Sequence, residues 1–172
     1  MLYMQDMTGS RPAAEDEAAL AGRAREVGAQ CLAFAARRTA NLVGRTYAAH
    51  LAPHGLEMPQ FAILCVLAAA GRVGSARELA ARLGLERSTL TRGLDRLLRA
   101  GLVARAPGEG GGRRVSYRLT ASGRARLASA LPAWEAAQRA LLDRLPQGAE
   151  APARRALDLL RDAARDLIGP DA

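Results

Sequence analysis

The stretch ARELAARLGLERSTLTRGLDRLLRAGLV (Ala76–Val103) decides the fold. Ser75 and Glu78 open it as a capping box, in which the serine accepts the Glu78 amide and the glutamate reaches back. A short helix, Ala76 to Leu83, follows, and Gly84 breaks it tightly. A second helix, from about Arg87 to Ala100, is closed by Gly101. Leu90, Leu94, Leu97 and Leu98 fall at i, i+4, i+7 and i+8 and form one apolar face. The other side carries Arg87, Ser88, Thr91, Arg92, Asp95, Arg96 and Arg99. Helix, tight turn, helix is a helix-turn-helix pattern. A recognition helix presents its N-terminal residues to base edges, where arginine bonds guanine O6 and N7 together; its later arginines suit phosphates. Taken alone, the second helix also fits a solvated amphipathic helix. The capped helix before it and the basic hairpin after it weigh against that.

The hairpin is PGEGGGRRVSYRLT (Pro107–Thr120) with its flanks. A glycine-rich loop with arginines can cradle phosphate, but a strand-turn-helix is then expected. Here strands flank the glycines on both sides, Leu102 to Ala106 and Arg114 to Leu119. Val115, Tyr117 and Leu119 are expected to face inward, with Arg113 and Arg114 near the tip. Upstream, residues 1–14 form a loose arm. Glu15 to about Leu51 has helical periodicity throughout, predicting one long helix bent at a glycine and ended by Pro53 and Gly55. Pro59 opens a helix over Gln60–Ala70, stopped by Gly71. Downstream, Thr120 caps a helix from Ala121 to about Leu145, kinked at Pro132. Pro152 sits in the first turn of a last helix that Gly169-Pro170 stops, with Leu157, Leu160, Ala164, Leu167 and Ile168 as its stripe.

The chain has 172 residues, which suits one domain with extensions. Hydrophobic residues reach 49% but aromatics only 3%, so bulky core material is thin and burial in an oligomer is expected. All 25 basic residues are arginine, and the formal net charge is +8. Nine arginines against three acids lie between Arg82 and Arg118, so most of that excess occupies one contiguous region. A concentrated positive region suits a polyanionic partner. Two cysteines make no disulfide framework, the N-terminus lacks the pattern of a signal peptide, and the longest apolar run, Phe61–Ala70, is too short to cross a bilayer. These features predict a cytoplasmic protein with no membrane partner.

Three segments, PQFAILCVLAAAG, ELAARLGLERSTLTRGLDRLLRAGLVAR and RRVSYRLTASGRARL, resemble MarR-family winged helix-turn-helix regulators in order and spacing. ALPAWEAAQ is similar to a subgroup of that family. The resemblance implies a mainly α fold (an α+β winged helix) with the DNA-binding domain over 56–120. The helices over 15–55 and 121–168 would form a dimerisation region, with Leu20, Trp134, Leu141, Leu157, Leu160 and Leu167 at the interface. It implies a homodimer on pseudo-palindromic, double-stranded promoter DNA, a repressor released by a small aromatic or phenolic effector. Recognition-helix contacts would fall on Ser88, Thr89, Thr91 and Arg92, flanked by Arg87 and Arg96. The wing arginine is Arg113, next to Arg114. Family members commonly brace that arginine with an aspartate two residues earlier, where this chain has Gly111; Glu109 or Arg114 are the alternatives.

The resemblance places an effector near Arg38, Tyr47, His50 and Phe61, each equally compatible with ordinary packing. Some members sense peroxide through an early cysteine, here Cys31; a small buried hydrophobe is the plainer reading. Cys65 is expected in the core. His50 and His54 are separated by Pro53, which opposes a helical metal pair, so no metal or cofactor is expected. Enzyme readings find no support: a P-loop needs a lysine this chain lacks, and there is no G-x-S-x-G elbow. Outside the regulator class, a winged-helix protein–protein adaptor is the rival.

Overall fold

The computed structural model describes residues 11–107 and 115–168. Its order is α1 (Arg11–Gln30), α2 (Leu32–Leu51), a 3-10 turn (Ala52–His54), α3 (Met58–Ala70), α4 (Ala76–Leu83), α5 (Arg87–Arg99), β1 (Val103–Pro107), β2 (Val115–Leu119), α6 (Ala121–Leu142) and α7 (Glu150–Ile168). This is the mainly helical winged helix-turn-helix expected from sequence. The chain divides into two compact units, one ending at Leu42 and one beginning at Val43.

The first unit holds α1 and the start of α2. Helix already begins at Arg11, inside the expected arm. The break in the long helix falls at Cys31 rather than at a glycine. Backbone bonds still bridge it, Cys31 N–H to Val27 O at 2.9 Å and Ala35 N–H to Cys31 O at 3.1 Å.

The second unit has one apolar core. Leu51, Leu56, Phe61, Ile63, Leu64, Leu67, Val73, Leu79, Leu90, Leu94 and Leu97 meet there with residues of the ribbon and α6. Glu57 precedes α3, and its N–H donates to Gln60 Oε1 at 2.8 Å, so α3 starts two residues before the expected Gln60. At α4, Glu78 N–H donates to Ser75 Oγ at 3.0 Å, as a capping box requires. The Glu78 carboxylate, however, accepts from Gly74 N–H at 3.0 Å and pairs with Arg82 at 2.7 Å. The reach back therefore ends one residue before the cap. Both helices of the motif end in Schellman turns. Leu85 N–H bonds Ala80 O at 3.1 Å and Leu102 N–H bonds Leu97 O at 3.0 Å, around left-handed Gly84 and Gly101.

β1 and β2 pair antiparallel, Val103 opposite Leu119 through Pro107 opposite Val115. Val73 adds a bridge to Tyr117, with N···O distances of 3.0 and 2.8 Å. The expected inward row grades outward: Leu119 is buried, Tyr117 half-buried and Val115 exposed. The ribbon leaves the body toward Val115, so the row runs out of core to cover it. Ser116, on the other face, is the buried residue of that end; its hydroxyl lies 3.1 Å from Ala106 O and 3.2 Å from Pro107 O.

Thr120 caps α6 by accepting from Gly123 N–H at 3.0 Å and donating to Gly101 O at 2.7 Å. α6 continues through Pro132 and stops at Leu142, three residues before the expected end.

Candidate nucleic-acid interface

The seating of α5 follows from its leucines. Leu90, Leu94 and Leu97 are sealed in the core. Gly93 is buried as well, and a Cβ there would lie 3.3 Å from Ile63 Cδ1, so its lack of a side chain lets α5 close on α3. Leu98, expected on the same face, is only half-buried. The opposite side is open: Arg87, Ser88, Thr91, Arg92, Asp95, Arg96 and Arg99 are exposed and Thr89 is half-buried.

These side chains are not equally available. Thr91 Oγ1 donates to Arg87 O at 2.8 Å, so its hydrogen is used within the helix. Its lone pairs and methyl remain for an incoming group. Arg96 is ion-paired with Glu57, the residue before α3. No described carboxylate pairs with Arg87 or Arg92, which leaves two guanidiniums and the Ser88 hydroxyl on the first turn and a half.

Arg113 and Arg114, with Glu109 and Gly111, lie outside the described residues. The rest of the ribbon exposes Arg105 and Arg118. Arg72 donates to Pro107 O at 3.4 Å, placing another cation at the ribbon. The regional charge count covers Arg105 and Arg118, but only the β register shows that they leave the core. Arg72 has no signal in the sequence, because its contact spans thirty-five positions.

The residues considered for an effector differ in their surroundings. Tyr47 is buried, and its hydroxyl donates to Gln138 Oε1 of α6. Burial raises its pKa, opposed by the positive charge of Arg154. His50 Nδ1 lies 2.9 Å from Thr46 O; a carbonyl can only accept, so Nδ1 is the donor of this bond. Phe61 is only 3% exposed and belongs to the core. Arg38 lies in the first unit and is exposed.

Cys31 is half-buried and lines a shallow hollow with Arg23, Glu26, Val27 and Gln30. Cys65 is also half-buried, packed against the core rather than within it, and burial raises its thiol pKa. Among the described residues no three His, Cys, Asp or Glu side chains gather to hold a metal. No single helix among them is long and apolar enough to cross a membrane.

Of the expected interface residues, Trp134 and Leu141 are half-buried on α6, Trp134 against the core. Leu20 on α1 is exposed. On α7, Leu157, Leu160 and Leu167 expose 60%, 39% and 89% of their surface.

Comparison with known proteins points the same way. The MarR family model matches residues 54–114, from the last residue of the 3-10 turn into the segment between β1 and β2. The HTH-type transcriptional regulator TtmR of Methylorubrum extorquens (strain PA1) is 41% identical over 93 residues, 54% of this chain. The chain spans about half of that relative, 47% of its length. The transcriptional regulator MosR of M. tuberculosis, solved in complex with DNA, is 37% identical over 78% of this chain and 96% of its own, with a TM-score of 0.69. A Mycobacterium tuberculosis MarR family protein, Rv2887, solved with salicylic acid, is 30% identical over 75% of this chain and 95% of its own, with a TM-score of 0.59.

Proposed function

Because this chain belongs to the MarR family, whose relatives here are transcriptional regulators rather than enzymes, we propose that it binds promoter DNA as a homodimer and regulates transcription. The observation that carries the reading is the start of α5: Arg87, Ser88 and Arg92, exposed on a helix whose back is fixed by three buried leucines. Ser88, Thr89, Thr91 and Arg92 meet base edges in the major groove, and Arg87 meets phosphate. Arg113 of the wing enters the adjacent minor groove, and the neighbouring Arg114 adds to the DNA contact. MosR in complex with DNA supports the nucleic-acid partner.

The partner protomer covers the leucines of α7. Apolar side chains spaced along one helix and left in water are the mark of an association surface. Two copies then set two recognition helices about 34–36 Å apart, one helical turn of DNA. A small aromatic effector that binds better to a mismatched spacing shifts the population off DNA, and DNA weakens the effector by the same factor. Rv2887 with salicylic acid supports that ligand class. The output is repression relieved by the effector.

The test is a salt titration of the purified dimer on the DNA upstream of its own gene, beside a scrambled duplex. A preference for the upstream fragment and a log affinity that falls steeply with log salt are expected. Equal, salt-insensitive affinities would favour the adaptor instead. Footprints repeated with aromatic acids then read the effector arm.

A further inference from the structure

Arg96 sits on the DNA-facing side of α5, yet its guanidinium is bound to Glu57. Other pairs among the described residues, such as Glu78–Arg82 and Glu150–Arg154, join neighbours on one helix. This one joins α5 to the start of α3 across thirty-nine positions. We infer that Glu57–Arg96 is a positioning clamp that sets the roll of the recognition helix, and that Arg96 is not itself a DNA ligand. The inference rests on the regulator reading above.

Three observations carry it. First, the anchor is fixed. Glu57 N–H is held by Gln60 Oε1 at 2.8 Å, and Gln60 is itself buried. Second, the pair adds a directional constraint to a seat that is otherwise apolar. Leu90, Leu94 and Leu97 hold the back of the helix against roll through non-directional contacts. A charge pair on the exposed flank is directional and opposes that roll. Third, Arg96 lies eight residues past Ser88, about 12 Å along the axis at 1.5 Å per residue. The base-reading end and the clamped end are therefore separate, and a small roll at Arg96 re-aims Ser88 and Arg92.

Both partners are half exposed or more, with side-chain accessibilities of 50% and 62%. Such a pair contributes little to global stability. Its effect belongs in recognition, where misaimed side chains lose base contacts while phosphate contacts persist.

The test measures affinity of the full chain for the upstream fragment and the scrambled duplex across salt concentrations. Arg96→Gln, Glu57→Gln, the double variant and the exchanged pair Glu57→Arg with Arg96→Glu are compared with wild type. Glu57→Gln keeps an amide oxygen at the start of α3, and thermal midpoints verify folding. Each single variant is expected to lower the preference for the upstream fragment by roughly twofold to fivefold, the scale of an exposed pair. The double variant should lose no more than either single one, the exchanged pair should recover the preference, and the salt slope should not move. If Arg96 instead contacts phosphate, Arg96→Gln weakens both duplexes alike and reduces the slope by about one per protomer. In that case Glu57→Gln leaves the preference intact and the exchanged pair fails. That pattern overturns the clamp and leaves the regulator reading standing. No DNA binding by wild type overturns both.

Discussion

Gly123→Ala offers the sharpest test of the packing, because the expected sign is opposite to that of helix propensity. Gly123 lies in the first turn of α6, where alanine would ordinarily stabilise by about 1 kcal/mol. A Cβ at this position, however, would sit 1.9 Å from Leu102 O and 2.9 Å from the Leu102 carbonyl carbon. An acceptable C···O contact is about 3.3 Å, so the helix start must retreat by about 1.4 Å. Thr120 N–H bonds the same Leu102 oxygen at 3.1 Å, and Thr120 Oγ1 bonds Gly101 O at 2.7 Å. The retreat breaks both and the cap they hold. Overpacking costs about 1–3 kcal/mol and a lost cap about 1 kcal/mol. After the propensity gain, a net loss of about 1–3 kcal/mol remains, or about 2–12 °C in thermal midpoint for a chain of this size. The assay is thermal unfolding at one fixed protein concentration, because the midpoint of a dimer depends on it. Ser122→Ala, exposed in the same turn, is the control and should change stability by less than about 0.5 kcal/mol. A Gly123→Ala midpoint at or above wild type would refute the close approach of α6 to the Leu102 carbonyl.

Tyr47→Phe removes the bond to Gln138 and should cost about 1 kcal/mol at neutral pH. The raised tyrosine pKa means its contribution is fully present below about pH 10 and is lost as pH rises through the folded value. Denaturant midpoints on either side of that pH should therefore fall less for Tyr47→Phe than for wild type; an equal alkaline loss would remove Tyr47 as its source. Placing aspartates at Leu157 and Leu160 should convert the dimer to a monomer in sedimentation velocity, while the second unit's core remains folded; a persistent dimer would clear α7 of that role. Arg92→Ala should cost about 1–3 kcal/mol on the upstream fragment and relax specificity at one base pair, seen by substituting each position of the site. A loss shared equally with scrambled DNA would assign Arg92 to phosphate. Peroxide should leave DNA affinity unchanged in both wild type and Cys31→Ser, because a small half-buried thiol at a helix break is a packing element; a loss in wild type alone would make Cys31 the sensor.

The helix-turn-helix was legible because its determinants are local. Ser75, Gly84, Gly101 and Thr120 mark helix ends by backbone chemistry within a few residues, and the leucine spacing of α5 names its buried side. The position of the break at Cys31 was not legible, since three glycines nearby offered equal local licence. Nor was the burial of Ser116, whose hydroxyl is satisfied by carbonyls on the opposite strand. For the candidate interface, the sequence singled out Arg87, Ser88, Thr89, Thr91 and Arg92, and the structure leaves them exposed except Thr89, which is half-buried. It placed Arg96 among them by periodicity alone.

Composition, caps and periodicity by themselves determined a helix-turn-helix with a polar face followed by a basic hairpin, because each signal acts over one or two turns of backbone. Only the tertiary structure decided which arginines on that face are spoken for and where α6 must begin. Those outcomes depend on Glu57 meeting Arg96 and on the Leu102 carbonyl meeting Gly123, encounters between segments far apart in sequence that no local spacing encodes.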